Sequence, residues 1–179
     1  MYSPEKDRAY YQAGLEELEP YLLSKELYWP TPAHTADLTQ LTLGGLLLVG
    51  ARLRGWQADS ANALDAQLET VHSNWRSAWE TKARREVHAR SELWKDYLSE
   101  VRSDPRGAAR QYSQNVRQRV IVALLGEQSD PMDVYLKSIL VPGAFVWDGK
   151  LQSSFPQDIF WFMYGSLKPE EQSSSMFKP

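Results

Sequence analysis

The feature that most constrains this chain is a stretch of 45 residues, from Asp59 to Ser103, that contains neither proline nor glycine. Proline and glycine are the residues that most often end helices, so their absence favours helical structure throughout. Apolar residues in the stretch recur at alternating intervals of three and four, as in the seam of a coiled coil: Ala61, Leu64, Leu68, Val71, Trp75 and Ala78. We therefore expect one long central helix over about residues 59–103, about 65–70 Å in length at the standard rise. Such a helix either protrudes, bends near its polar centre or forms the backbone of an elongated bundle.

Shorter helices are predicted on both sides of this segment. Ser3 followed by Pro4 is a typical helix start, and Pro20 is expected to kink or split the helix that begins there. Residues 41–51, LTLGGLLLVGA, are apolar nearly all round, which is typical of a buried helix. Asp-Pro pairs at 104–105 and 130–131 begin two further helices. The predicted fold class is all-α: an elongated helical bundle of five to six helices around the long central one.

The C-terminal part of the chain has a different character. Asp148-Gly149 is a tight-turn signal, so a small β-hairpin near residues 145–152 stands as an alternative to an irregular loop. Ile159 to Tyr164 are six consecutive apolar residues, and a surface helix cannot bury them all. This aromatic segment either closes the bundle from within or docks onto a partner. We predict a single helical domain over residues 1–168 and a flexible tail over 169–179, which is mostly polar.

Composition excludes several kinds of site. The chain has no cysteine, so disulfides, thiolate zinc sites and cysteine nucleophiles are ruled out. The first residues contain no apolar segment of the kind that directs secretion. The longest nearly apolar run has 11 residues, which is too few to span a bilayer as a helix. We therefore expect a soluble, cytoplasmic protein without membrane insertion.

The net charge of −3 is unevenly distributed. Residues 1–40 carry three basic and seven acidic groups, residues 76–119 carry eleven and six, and residues 120–179 carry four and seven. A positive middle between acidic flanks predicts attraction between segments of the same chain. Within the middle, a spacing of four residues predicts three ion pairs on the helix surface: Glu80–Arg84, Lys82–Glu86 and Glu86–Arg90.

The candidate for metal or acid–base chemistry is Glu69-Thr-Val-His72. A glutamate three residues before a histidine lies one turn away on a helix, and di-metal sites in helical bundles use two such motifs with further glutamates. Neither His34 nor His88 has a glutamate at that position, so Glu69 and His72 alone are kept as candidate metal ligands. His72 and His88 lie 16 residues apart, about 24 Å along one helix, so we expect them not to act together. We assign no catalytic residue and no cofactor.

The leading hypothesis is a non-catalytic α-helical interaction or scaffold protein that acts through homo- or hetero-association with another protein or with itself. Large aromatic side chains are frequent interface anchors. The expected partner-binding residues are therefore Trp147, Phe155, Trp161 and Tyr164, together with a polar surface formed by Arg84, Arg85 and Arg90.

Two alternatives stand beside this hypothesis. The first is a ligand- or metal-binding helical-bundle enzyme with a site near Glu69 and His72. The second is nucleic-acid binding through the basic middle segment, which the interlaced acidic residues disfavour. Its contacts to phosphate would come from Arg84, Arg85, Arg90, Arg106 and Arg110.

Overall fold

The structure, a computed structural model, describes residues 3–35, 37–56 and 58–168. Seven α-helices occur within these ranges and confirm the predicted all-α class. They are α1 (Pro4–Leu23), α2 (Leu43–Trp56), α3 (Ala58–Asn74), α4 (Arg76–Ser103), α5 (Pro105–Ala109), α6 (Tyr112–Leu124) and α7 (Asp133–Ile139). Two short antiparallel strand pairs accompany them: β1 (Trp29–Pro30) with β2 (Gln40–Leu41), and β3 (Leu140–Phe145) with β4 (Tyr164–Leu167).

The segment predicted as one long helix is divided at Trp75 into α3 and α4. Trp75 has φ −122° and ψ 34°, far from helical values, so the helix is interrupted there. The backbone hydrogen bonds continue across the junction, because the Trp75 N–H donates to Val71 and the Trp79 N–H donates to Trp75, both at 2.9 Å. The sequence carries no proline or glycine at this point, which is why the interruption was not predicted.

Helix α1 begins as expected but does not split. The hydroxyl of Ser3 accepts a hydrogen bond from the Lys6 N–H at 3.2 Å, which is an N-cap. Pro20 lies exposed in the last turn of α1 and the helix continues to Leu23. A proline this close to the C-terminal end removes only one intrahelical hydrogen bond, which explains why the predicted kink or split does not break the helix.

Helix α2 lies at the centre of the fold and is buried on nearly all sides, as its apolar sequence predicted. Gly44 permits its closest approach to α6, since a Cβ atom at that position would lie 2.1 Å from Ile121 Cγ2. The guanidinium of Arg52, also fully buried, donates to the carboxylates of Asp7 and Asp37. These contacts join α1, the segment before α2, and α2 itself.

The C-terminal aromatic segment passes through the core, which is the first of the two alternatives predicted from the sequence. Phe160, Phe162 and Met163 are buried, and β4 follows them and pairs with β3. The small strand pair is thus confirmed, but not as a hairpin at 145–152. The side chain of Asp148 instead accepts from the Lys150 N–H and begins a 3₁₀ turn (Gly149–Ser154).

Within the described residues, no helix combines the length and the apolar character that crossing a bilayer requires. The predicted tail, 169–179, lies outside the described residues.

Candidate functional site

A groove with a volume of about 680 Å³ lies against the first half of α4. Its second wall is the segment that follows α6, and His72 from the last turn of α3 also lines it. The α4 residues in it span from Trp79 to Ser91, about 18 Å along the helix. We call it the α4 groove. Its volume falls within the range of ligand-binding pockets in proteins.

The apolar part of the α4 groove combines two regions that are distant in sequence. Trp79, Ala83 and Val87 come from successive turns of α4, whereas Leu125 and Pro131 come from the segment around and after the end of α6. Ala83 is buried, and Trp79, Val87 and Leu125 are only half-buried. This surface therefore retains apolar area that further contact could remove from water.

The polar part of the α4 groove contains three charged groups, Glu80, Arg84 and Glu127. Among the described residues, none of these side chains forms an ion pair or a hydrogen bond. Glu80 and Arg84 are spaced for an i,i+4 pair, but the pair predicted from the sequence is not present. His72, His88 and Ser91 complete the polar lining.

On its opposite side, α4 turns its charged residues inward. Lys82, Glu86 and Arg90 are all buried, and of the three predicted ion pairs only Glu86–Arg90 forms, at 3.1 Å. Helix α4 thus carries two sets of charges. One set is satisfied in the core, and the other lines the groove with no partner in the part of the chain that the structure describes.

The buried carboxylate of Glu86 holds α4 against the start of α2. One of its oxygens accepts from the Gly44 N–H at 2.8 Å, and the other accepts from Nε and Nη2 of Arg90 at 3.1 Å each. Arg90 also donates to Gln118 on α6 and to Thr42. The carboxylate occupies the positive end of the α2 dipole, where an anion is favoured.

Lys82 joins α4 to the end of α1. Its Nζ donates to the Ser24 carbonyl oxygen at 2.8 Å and to the Glu26 carbonyl oxygen, and it lies 4.5 Å from the centre of the Tyr21 ring. An ammonium group at this position satisfies carbonyl oxygens just beyond the C-terminus of α1. Burial, reinforced by the nearby Arg85 guanidinium, lowers the pKa of Lys82.

Arg119 fixes the second wall of the groove. It is fully buried in α6 and donates to both carboxylate oxygens of Asp133 at 3.0 Å. It also donates to the carbonyl oxygens of Glu127 and Gln128, at 3.3 and 2.7 Å. Buried Arg119 therefore holds the backbone that presents Glu127 to the groove.

His72 and His88 both line the α4 groove, although their spacing in the sequence predicted that they would not act together. The ring of His72 lies 4.6 Å from that of Trp79, and His72 Nδ1 is 3.6 Å from Glu69 Oε2. Within the described residues, no group of three or more histidine or acidic side chains is arranged to hold a metal ion. Glu69 and His72 therefore form a local pair at the groove.

The aromatic residues proposed for partner binding differ in accessibility. Phe155 is fully buried, and Tyr164 is 7% exposed with its hydroxyl donating to the Phe155 carbonyl oxygen at 2.7 Å. Trp147 and Trp161 are half-buried. The indole of Trp147 donates to the Ser113 carbonyl oxygen at 2.7 Å. Phe155 and Tyr164 thus lie in the core, whereas Trp147 and Trp161 retain solvent-exposed surface.

The basic residues proposed for partner binding also differ in exposure and in their contacts. Arg90 is buried and fully engaged with Glu86, Gln118 and Thr42. Arg85 is exposed and donates to the Lys25 carbonyl oxygen at 2.8 Å. Arg84 is exposed and lines the α4 groove.

The sequence-based reasoning missed eight groove residues. They are Trp79, Glu80, Ala83, Val87, Ser91, Leu125, Glu127 and Pro131. Trp79 had a usable signal, since a tryptophan beside a basic helical stretch is a common contact residue. The residues after α6 had none, because their proximity to α4 depends on the tertiary fold. No known protein family, curated protein or solved structure matches this chain.

Proposed function

We propose that this chain is a non-catalytic helical interaction protein, and that it binds a segment of a partner protein in the α4 groove. The observation that carries the proposal is the division of charges on α4. Buried charges at Lys82, Glu86 and Arg90 are satisfied within the chain. The exposed side chains of Glu80 and Arg84 border the groove and have no ion-pair or hydrogen-bond partner among the described residues. Charged side chains at the rim of half-buried apolar side chains are typical of a protein-binding surface.

Trp79 supports this proposal as an anchor. Tryptophan is enriched among residues whose truncation costs the most binding free energy, particularly where surrounding contacts exclude water. Its ring already packs beside His72, which restricts its orientation before any partner arrives. Its half-buried state leaves apolar ring area for a partner to cover.

The anchoring of both walls also supports the proposal. Glu86 fixes α4 against α2, and Arg119 fixes the backbone at Glu127 and Gln128. A surface that is already ordered loses less conformational entropy on binding than a mobile one. Of the partner-binding residues predicted from the sequence, the proposed interface retains Arg84, which lines the α4 groove.

The experiment is site-specific photo-crosslinking in the native host, followed by reconstitution. A photoreactive amino acid replaces Ser91 in the groove, and a matched variant carries it at Ser99, which is exposed on α4 outside the groove. We expect a protein that crosslinks from position 91 and not from position 99. The purified partner should bind the unmodified chain with an affinity that falls about tenfold or more for Trp79→Ala.

Leu93→Ala is the control for that measurement, because Leu93 is an exposed apolar residue of α4 outside the groove. Its affinity for the partner should equal that of the unmodified chain. A partner that binds Trp79→Ala as tightly as the unmodified chain would contradict the proposal, as would the absence of any crosslink specific to position 91. A crosslink between two copies of the chain would identify self-association instead.

A second candidate function is the carriage of a small organic ligand, and the groove volume of about 680 Å³ favours it. Pockets of this size commonly enclose small molecules between an apolar surface and a few polar groups. Native mass spectrometry of the protein purified without a histidine tag tests this function. A bound mass that disappears in Trp79→Ala supports it, and a spectrum of the unliganded chain alone contradicts it.

A further inference from the structure

The charges of the α4 groove indicate the chemistry of its occupant, and this step rests on the function proposed above. Glu80 stands on α4, and Glu127 stands on the opposite wall, which Arg119 anchors. With Arg84 the three groups sum to a net charge of −1 (two carboxylates and one guanidinium). We propose that the partner segment places a lysine or arginine side chain, flanked by apolar residues, between these two carboxylates.

A basic side chain suits both parts of the groove. Lysine and arginine have apolar stems that can cover Val87 and Leu125 while the charged end stays near the carboxylates. The carboxylates attract that charge more strongly once the partner has displaced water from the apolar surface. A neutral apolar side chain would cover the same surface, but it would leave Glu80 and Glu127 partly desolvated and unpaired, which is costly.

Trp79 adds a second attraction for a cation. A positively charged group over an indole face is stabilised by the ring's electrostatics. The chain places a cation over an aromatic ring four times among the described residues. The cations lie 4.0–5.0 Å from the ring centres in the pairs Lys82–Tyr21, Arg102–Tyr135, Arg119–Phe162 and Lys137–Trp161.

Arg84 determines where in the groove a cation can bind. It follows Glu80 by one turn of α4 and lines the same groove, so it repels a cation that approaches along that part of the helix. A basic residue of the partner is therefore directed towards Glu80 and Glu127. The Arg84 guanidinium remains available for a carboxylate or a carbonyl oxygen of the same segment.

The test uses three blocked tripeptides, acetyl-Leu-X-Phe-amide, in which X is Lys, Gln or Glu. Binding is followed by NMR through the indole N–H signals of the full chain at low salt. We expect the Lys peptide to bind about fivefold more tightly than the Gln peptide and at least about tenfold more tightly than the Glu peptide, from two partly exposed ion pairs. In Glu80→Gln/Glu127→Gln, the ratio of Lys to Gln affinities should fall to about twofold, which the remaining attraction of the Trp79 ring can supply.

Glu92→Gln is the matched control, because Glu92 is an exposed carboxylate of α4 outside the groove, and it should leave the affinity ratio unchanged. If the peptides bind but the Lys form shows no advantage, the charge inference is wrong and the binding groove stands. If none of the three binds at millimolar concentration, the groove is not a peptide site and both proposals fail. A ratio that stays at about fivefold in the double variant would place the cation elsewhere.

Discussion

The buried pair of Glu86 and Arg90 gives the sharpest test of this structure, since the sequence places both in a surface-like pattern. We consider Glu86→Met, Arg90→Met and the double variant. Glu86 is fully buried and Arg90 is 7% exposed. In Glu86→Met, the guanidinium keeps its contacts to Gln118 and Thr42 but loses both hydrogen bonds to the carboxylate. In Arg90→Met, the carboxylate keeps only the Gly44 N–H.

Each single variant therefore leaves one buried charge without its partner. Such a change costs about 3–5 kcal/mol of unfolding free energy. The double variant contains neither charge, and methionine fills irregular core space readily. The double variant should lose unfolding free energy only because neutral groups, chiefly the Gly44 N–H, are left without hydrogen-bond partners. Each such group costs about 1–3 kcal/mol. We expect the double variant to be more stable than the sum of the single effects predicts, by at least about 3 kcal/mol.

Urea unfolding monitored by circular dichroism and tryptophan fluorescence measures the four free energies. Glu86→Gln, which preserves the shape of the side chain, replaces Glu86→Met if that variant is unfolded. Single variants within about 0.5 kcal/mol of the unmodified chain would indicate solvated surface residues. Additive effects in the double variant would show that Glu86 and Arg90 do not interact. Either result would refute the division of α4 into a satisfied inner face and an unpaired groove face.

Two further predictions concern glycine and tyrosine residues. Gly44→Ala should lower the unfolding free energy by about 1–3 kcal/mol in thermal or urea unfolding, since the new methyl group meets the stiff, β-branched Ile121 at 2.1 Å. Gly149→Ala has open space around its Cβ position and should change stability by less than about 0.5 kcal/mol; equal effects at the two positions would contradict the close packing of α2 on α6. Burial raises the pKa of six tyrosines above that of an exposed phenol. They therefore stabilise the fold below pH about 10, and this stabilisation is lost as rising pH ionises the same phenols in the unfolded chain. Tyrosinate absorbance should rise together with the loss of helical circular dichroism, and ionisation of these phenols in the folded chain near pH 10 would contradict their burial: Tyr10, Tyr11, Tyr21, Tyr97, Tyr112 and Tyr164.

Local sequence patterns were sufficient for much of the fold. The apolar run in α2 predicted burial on all sides, and Ser3 with Pro4 predicted the start of α1. The break at Trp75 was not accessible in this way. It involves one residue of ordinary helical propensity, and its backbone conformation depends on how α3 and α4 each pack on the rest of the chain.

The contacts of the charged α4 side chains could not be predicted from the local sequence, for a different reason. A spacing of four residues is equally compatible with a surface ion pair and with two side chains that turn to other elements. Lys82 turns to carbonyl oxygens more than 50 residues earlier in the chain, and Glu86 turns to Gly44. The α4 groove could not be predicted, because its second wall begins at Leu125, more than 30 residues after the last α4 residue that lines it.

The interruption at Trp75 has a geometric effect on the α4 groove. His72 lies three residues before this pivot, about 4.5 Å along α3, whereas the first residue of α3 lies about 25 Å away. A rotation of α3 by about 10° about the pivot would shift its far end by about 4 Å, but the His72 backbone by less than about 1 Å. The position of His72 beside Trp79 therefore depends little on the angle between α3 and α4.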